Sequence, residues 1–561
     1  MLTIQGKGVS AGIGIGPLYW FRRTGGAVIR RQVEDTAAEW QRFLAVQAQA
    51  IEALGRLAEQ TRMEVGEEAA LLFETHQMMA EDLDYVDAIQ ALIDGGLNAE
   101  AAVTDTAAQF SEMFSAMDDT YMQARAADVK DVSSRIVGIL QGHGESGIDS
   151  DVPVILAADD LTPSETVQLD RTKLLGFVTT AGAASGHTAI LARAMGVPAI
   201  IGVGDALKPE YAGQEAIMDG DTGQVVLEAD PQTRAVLLKK QAEQRQRKAQ
   251  LETLKGAENV TLDGQSINIY CNIGSPEDVA AVKNNDGGGV GLFRSEFLYL
   301  GCADYPTEEQ LFAAYRSAVA GMEGKEIIIR TLDIGADKQV DYFGLEKEEN
   351  PAMGLRAVRI CLTRPEVFRT QLRALYRASA FGKLGIMFPM ITSVCEFRAC
   401  KQACQTVQQE LREEGIAFDP GVALGVMIET PAAVLVSDEL AKEVDFFSIG
   451  TNDLTQYTLA CDRQSTHLGR FYDPHHPAVL RAIKLVVENA HQYGKWAGIC
   501  GELGADLEMT PFFLAIGVDE LSVTPDMVLP LRNAVRNMDV SSTREALLEK
   551  WLDGANTPAA E

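Results

Sequence analysis

Eight apolar segments recur over about 290 residues at the carboxyl-terminal end of this 561-residue chain, each parted from the next by helix-forming residues. They read INIYCNIG, GVGLFRSEF, EIIIRTLDIG, LGIMFPMI, ALGVMIET, DFFSIGTNDL, WAGICGEL and ELSVTP. Runs this short and this apolar suit parallel strands, which are buried on both faces. Parallel neighbours need crossovers, and the intervening helices supply them. Eight such regular units are the count of a closed (β/α)8 TIM barrel, here over residues 261–561. A doubly wound open sheet is the alternative, but it rarely takes eight.

Upstream the texture changes. No proline occurs between Pro17 and Pro153. Inside that gap, AAEWQRFLAVQAQAIEALGRLAEQT and EEAALLFETHQMMAEDL place apolar residues at i, i+3, i+4 and i+7 among Ala, Glu, Gln and Leu. This is a helical-bundle pattern, and it sets a helical domain at residues 21–147. The glycine-rich start, GKGVSAGIGIGPLYW, and the later runs VPVILAA, LLGFVTT and VPAIIGV read as strands. The simplest reconciliation is one α/β domain, residues 1–20 with 148–230, into which the helices are inserted. Residues 231–260 read as a polar linker helix without a broad apolar face, with a coiled-coil arm as the alternative.

A chain of this length should hold about three or four domains. Its net charge of −31, from 49 Lys and Arg against 80 Asp and Glu, argues against nucleic acid and anionic membrane as partners. A basic protein partner fits it. The eight cysteines all follow residue 270 and are scattered, which points to a reducing compartment rather than a disulfide framework. Cys400 and Cys404 lack the second pair that a metal clip needs. With no signal peptide and no long apolar run, a cytoplasmic protein is expected.

Two places carry candidate chemistry. GHTAILAR sets His187, one of seven histidines, at a helix start behind the small-residue turn TTAGAAS. In the barrel, polar residues gather at the strands' carboxyl ends, where barrel enzymes place their sites. Arg294, Arg330, Glu429, Asn452, Asp453 and Cys500 follow the second, third, fifth, sixth and seventh strands. Arg294 and Arg330, with Arg463 nearby, suit an anionic ligand with several oxygens. Glu429 and Asp453 suit one hard cation such as Mg2+. Any one of these alone reads as a rim salt bridge; all of them on one face read as a site. Cys500 is either a buried packing thiol or a proton donor.

DFFSIGTNDLTQYTLACDR and GAASGHTAILAR together resemble signatures of the phosphoenolpyruvate-utilising enzymes. DLTPSET, YMQARAADVKDV, NPAMGLRAVRI and RASAFGKLGIMFPMI are similar to the Enzyme I family of the bacterial sugar phosphotransferase system, in the same order along essentially the whole chain. The resemblance implies that phosphate passes from phosphoenolpyruvate to His187 and then to the carrier protein HPr, with release of pyruvate. It makes the α/β domain a phosphohistidine domain and the helical insertion an HPr-binding domain. It implies that Arg294, Arg330 and Asn452 hold the phosphate. Arg463, with the backbone of Asn452 and Asp453, would hold the carboxylate. Glu429 and Asp453 would bind Mg2+, and Cys500 would protonate the enolate. Thr166 matches the threonine that orients the histidine, and Arg356 a family arginine near the site. A homodimer through the barrel is also implied.

A helix start fits the acceptor role, because its dipole disfavours imidazolium and its free N–H groups receive phosphate. The chain departs from the family in the loop before His187. Gly182-Ala183-Ala184-Ser185 stands where Gly-Gly-Arg usually precedes the Ser or Thr, which removes one phosphate contact, and Thr180 replaces a common acid. On the helical insertion, Glu67, Glu68, Glu81, Asp82 and Asp84 are expected to ring an apolar patch of His76, Met78, Met79 and Leu83. The rival readings are a pyruvate-phosphate dikinase, for which no ATP-binding domain is seen, and a regulatory paralogue, which would have lost His187, Glu429, Asp453 or Cys500.

Overall fold

Three strands at the amino terminus and five beyond the helical stretch share one sheet. They are β1 (Leu2–Gln5), β2 (Lys7–Ser10), β3 (Ile13–Trp20), β4 (Val154–Ala158), β5 (Leu174–Thr179), β6 (Ala199–Ile201), β7 (Glu215–Asp219) and β8 (Gln224–Leu227). The order across the sheet is β1-β8-β7-β3-β4-β5-β6-β2. Strands β3 to β6 are parallel, whereas β1, β2, β7 and β8 pair antiparallel to their neighbours. The computed structural model describes residues 1–21, 28–64, 67–115, 120–142, 148, 150–170, 172–182, 189, 191–192, 195–300, 302, 304–335, 340–346, 348–465 and 467–553. They fall into two units, Met1–Lys248 and Ala249–Glu561.

The helices occupy the crossover between β3 and its parallel neighbour β4, where Leu18 stands opposite Ile155. They are α1 (Thr36–Glu64), α2 (Glu67–Glu81), α3 (Leu83–Asp94), α4 (Ala99–Ser115) and α5 (Thr120–Leu140). Their buried stripe includes Phe43, Leu54, Phe73, Ile89, Val103 and Ile136, continuous with sheet residues such as Leu156 and Phe177. Asp82 caps α3 by accepting from the Tyr85 N–H at 3.1 Å. The short α6 (Pro163–Gln168) starts in a capping box, Thr162 with Glu165, and has Pro163 in its first turn.

Three strands went unread in the sequence: β1, which precedes the glycine-rich stretch, and the pair β7 and β8. β7 and β8 form a hairpin around Asp219-Gly220-Asp221-Thr222-Gly223, and each offers too few apolar residues to stand out. The helix α7 (Pro231–Glu252) buries no residue, as its composition implied. Its early turns are held by polar contacts instead. Arg234 pairs with Glu215 at 2.8 Å, Lys240 with Asp219 at 2.5 Å, and Gln241 donates to the Ile13 carbonyl at 2.7 Å.

In the second unit, β9 (Asn268–Ile273), β10 (Val290–Arg294), β11 (Ile327–Arg330), β12 (Leu384–Phe388), β13 (Ala423–Ile428), β14 (Phe446–Ile449), β15 (Trp496–Ile499) and β16 (Glu520–Val523) close into a parallel barrel. All eight expected strands are present, and β16 pairs back onto β9, which excludes the open sheet. Alternation within each strand divides the residues. Ile269, Cys271, Ile327 and Ile329 pack outward under the helices. Leu292, Ile328, Met387, Met427, Phe446 and Cys500 fill the lumen, where the Phe446 and Trp496 rings stack at 4.7 Å. All eight cysteines are free thiols.

Because the first unit has its own core, a fragment of residues 1–252, ending with α7, should fold alone. Circular dichroism should show one cooperative thermal transition, and a fragment lacking helical signal would contradict this.

Candidate active site

At the barrel's carboxyl-terminal rim, Arg330 and Arg356 are both nearly buried, at 6% and 4% exposure. Arg330 ends β11, and its Nη2 lies 2.6 Å from Glu296 Oε1 and 2.9 Å from Asp333 Oδ2. Asp333 turns its other oxygen, Oδ1, to Arg356 Nη2, also at 2.9 Å. Arg356 reaches on to Asp453 Oδ2 at 3.6 Å and donates to the Tyr457 hydroxyl at 3.1 Å. The Nε atoms of both arginines are buried without a hydrogen bond among the described residues. Their neighbouring carboxylates raise both guanidiniums above the ordinary arginine value despite burial.

Glu429 follows β13 and is 1% exposed. It accepts the Met390 N–H through Oε1 at 2.5 Å. Burial first, and the Asp453 and Asp333 carboxylates after it, push its carboxyl up to about 8 against the opposing pull of Arg330 and Arg356. Asp453 and Asn452 stand in the first turn of the helix Thr451–Leu459, which opens directly after β14. The Asn452 side chain exchanges two hydrogen bonds with Glu502, donating to Oε1 at 2.9 Å and accepting from its backbone N–H at 3.1 Å. Cys500 directly follows β15 at 3% exposure, and burial pushes its thiol up to about 12. Two backbone positions beside these groups hold positive φ without being glycine: Ala357, next to Arg356, at 52°, and Met390 at 56°. Strain of this kind persists where the surroundings over-determine the backbone, as at a site.

The sequence-derived rim residues therefore fall into two groups. Arg330, Arg356, Glu429 and Asp453 form one electrostatic cluster, with Asn452 in the same helical turn as Asp453. Arg294 and Arg463 make no side-chain hydrogen bond or ion pair among the described residues, which leaves their guanidiniums available to an anion. Glu296, Asp333, Tyr457 and Glu502 were missed, although Glu296 and Asp333 each lie within three residues of a strand end in RSEF and TLDIG. Two hard carboxylates, one of them raised first by burial and then by the other's charge, fit a divalent cation that takes its remaining ligands from water and substrate. Among the described residues there is no group of three or more His, Cys, Asp or Glu side chains arranged to hold a metal alone.

In the first unit, His187 and residues 183–186 lie outside the described residues. What borders them is defined. The strand β5 ends in Thr179, whose hydroxyl donates to the Ala181 carbonyl at 2.6 Å, and Gly182 takes φ +112°. Beyond the loop, Ala189, Leu191, Ala192 and Met195 are buried. Thr166 is fully buried and donates its hydroxyl to the Thr162 carbonyl at 2.8 Å. On the helical bundle, Met78 and Leu83 are exposed at 63% and 76%, beside exposed Glu81, Asp82 and Asp84. His76 corrects the expected patch: it is fully buried, with Asp128 at 3.3 Å and Asp131 at 3.7 Å. Helical phase turns it inward, toward α5. The side chains of Glu67 and Glu68 lie outside the described residues.

Asp333 bridges two buried cations, so Asp333→Asn should destabilise the second unit by about 3–5 kcal/mol. Denaturant unfolding followed by fluorescence would measure it, and a loss below about 1 kcal/mol would show that the arginines have other sufficient partners. Glu429 supplies a pH test. Its folded value lies above that of a free carboxyl, so its contribution to stability is complete at acid pH and is lost as pH rises through about 8. In chelator-treated protein, the fall in Tm on raising pH through that range should be blunted by Glu429→Gln. Equal slopes in calorimetry of the two proteins would refute the shift.

Comparison with known proteins extends the picture to the whole chain. Residues 248–540 match the PEP-binding domain of PEP-utilising enzymes, residues 151–223 their mobile domain, and residues 5–125 their N-terminal domain. A phosphoenolpyruvate-protein phosphotransferase of Priestia megaterium is 41% identical over 539 residues, covering 95% of this chain and 94% of that one. The enzyme of that name from Bacillus subtilis (strain 168) is 40% identical over 561 residues, covering 99% and 98%. That of Staphylococcus carnosus (strain TM300) is 39% identical over 546 residues, covering 97% and 95%. Among the described residues, no helix is long and apolar enough to cross a membrane. With three domains matched in order and relatives this similar over nearly their full length, the chain belongs to the phosphoenolpyruvate-protein phosphotransferases, the Enzyme I family of the PEP-utilising enzymes.

Proposed function

We propose that this chain takes the phosphoryl group of phosphoenolpyruvate onto His187, releases pyruvate, and passes the phosphate to the carrier protein HPr as the first step of sugar phosphotransfer. The observation that carries this reading is the rim cluster, in which Arg330, Arg356, Glu429 and Asp453 gather around Asp333 with Cys500 on the adjoining strand. Phosphoryl transfer is mostly positioning and charge neutralisation, and this is what such a cluster supplies. Arg294, Arg330 and Asn452 hold the phosphate. Arg463, with the backbone of Asn452 and Asp453, holds the carboxylate. Glu429 and Asp453 would hold Mg2+, which when bound neutralises charge on the phosphate oxygens. Neutral His187 attacks phosphorus, and the departing enolate takes the Cys500 thiol proton at its methylene carbon. Thr166 orients the histidine.

The corresponding division of the chain is a phosphohistidine domain of residues 1–20 and 148–230, an HPr-binding domain of residues 21–147, a linker of residues 231–260 and the substrate barrel. HPr docks on the exposed Met78 and Leu83 among the acids of the bundle; the charge of −31 supports a basic partner. The working protein is a cytoplasmic homodimer joined through its barrels.

Labelled phosphoenolpyruvate with Mg2+ tests this directly. His187→Ala should leave no acid-labile phosphate on the protein while phosphoenolpyruvate binding stays measurable. The 1–252 fragment should exchange phosphate with phosphorylated HPr yet ignore phosphoenolpyruvate, because every substrate arginine lies beyond it. Label on the His187→Ala protein, or on the fragment from phosphoenolpyruvate, would overturn the assignment.

A further inference from the structure

Directly beneath the rim, the barrel lumen holds a carboxyl group that the reaction above does not use. Glu520 opens β16 and is 1% exposed. Strand register sets it beside Gly498 on β15, two residues below Cys500. Its carboxyl lies across bare backbone on both sides. A Cβ added at Gly498 would stand 1.9 Å from Oε2, and one added at Gly291 would stand 2.4 Å from Oε1 and 2.6 Å from Ser522 Oγ. These two glycines make the room that a buried carboxyl needs. No cation pairs with Glu520 among the described residues, and the charged groups nearest to it, Glu326 and Asp519, are acidic. Burial therefore holds Glu520 well above the carboxylate range, as a neutral acid.

Between this acid and the thiol lies a polar sector in an otherwise apolar lumen. Ser522, the next inward residue on β16, is fully buried, as is Ser448 on β14 at 1%. Asn272 ties the strands together, donating to the Cys500 carbonyl at 3.1 Å and the Ser522 carbonyl at 3.0 Å. Glu520 Oε1, Ser522 Oγ, Ser448 Oγ and Asn272 Oδ1 are all buried without a well-formed hydrogen bond among the described residues, although Ser522 stands near enough to the Glu520 carboxyl, and Ser448 to the Cys500 thiol, to bear on their protonation. Buried oxygens of this kind are ordinarily met by internal water.

We propose that Glu520 returns the proton to Cys500 after each pyruvate is formed, a step that rests on Cys500 being the acid in the reading above. When the enolate carbon takes the thiol proton, a C–H bond forms, the S–H bond breaks and a thiolate remains. The Glu520 O–H then gives its proton toward the thiolate through the Ser522 hydroxyl, which accepts one proton and passes on another, leaving Cys500 a thiol and Glu520 a carboxylate. Solvent restores the carboxyl from the opposite end of the lumen, where Tyr270 donates to the partly exposed Glu326 at 3.2 Å. A thiol that burial makes so weakly acidic leaves a strongly basic thiolate, which draws a proton from its surroundings. Glu520 acts through Cys500 and does not touch substrate.

The test separates the first proton from its replacement. Full-length Glu520→Gln, with phosphoenolpyruvate and Mg2+, should form pyruvate in a single turnover within about twofold of the unaltered protein, since the thiol starts protonated. With HPr present for repeated turnover, its rate should fall by roughly 10²-fold and gain a solvent deuterium isotope effect. An unchanged sustained rate, or equal losses in both phases, would overturn the proposal, the latter because it marks a structural role. Should that variant not fold, Ser522→Ala asks the same question and should show the same split. Cys500→Ala is run alongside: if it forms pyruvate normally, the thiol is not the acid, and the underlying reading fails independently of Glu520.

Discussion

The rim of the barrel depends on an imbalance of buried charge. Two guanidiniums, Arg330 and Arg356, face four carboxylates, Glu296, Asp333, Glu429 and Asp453, and all but Asp453 are almost wholly removed from water. An excess of two negative charges in such a place is costly. Burial and the neighbouring acids favour the protonated form of Glu429, which removes one of these charges, and a divalent cation would offset both. The two outlying arginines, Arg294 and Arg463, then have no carboxylate to satisfy and remain for an anionic substrate. An anionic substrate would meet an already negative rim unless that excess were first neutralised.

The same accounting shows what the sequence could and could not disclose. The barrel strands were legible because strands buried on both faces leave continuous apolar runs, and all eight were read. The hairpin of β7 and β8 was not, because EAIMD and QVVL are too short to announce themselves beside their polar turn. Arg330, Glu429 and Asp453 were legible as polar residues ending apolar strands. Asp333 was not: an acid just after a strand is ordinary, and only the fold brings Arg330 and Arg356 to its two oxygens. His76 failed in the opposite way. Its neighbours Met78 and Leu83 are exposed, so the local pattern suggested a surface residue. Its partners Asp128 and Asp131 stand more than fifty residues away, and no local pattern could pair them.

Glu429 and Glu520 show how one barrel gives the same side chain two chemistries. Both are buried and both are held above the carboxylate range, so burial alone does not distinguish them. Their neighbours do. Glu429 has Arg330, Arg356 and Asp453 within electrostatic reach, so its proton is opposed by nearby positive charge and can be displaced by a cation sharing the Asp453 carboxylate. Glu520 has hydroxyls, bare glycine backbone and acidic residues around it, which leaves nothing to stabilise its anion for long. On the function proposed above, a carboxyl in the first setting would serve as a ligand that gives up its proton and stays ionised. A carboxyl in the second would give up its proton only briefly and regain it, which is the behaviour that a thiol acid of the kind proposed needs from its supply.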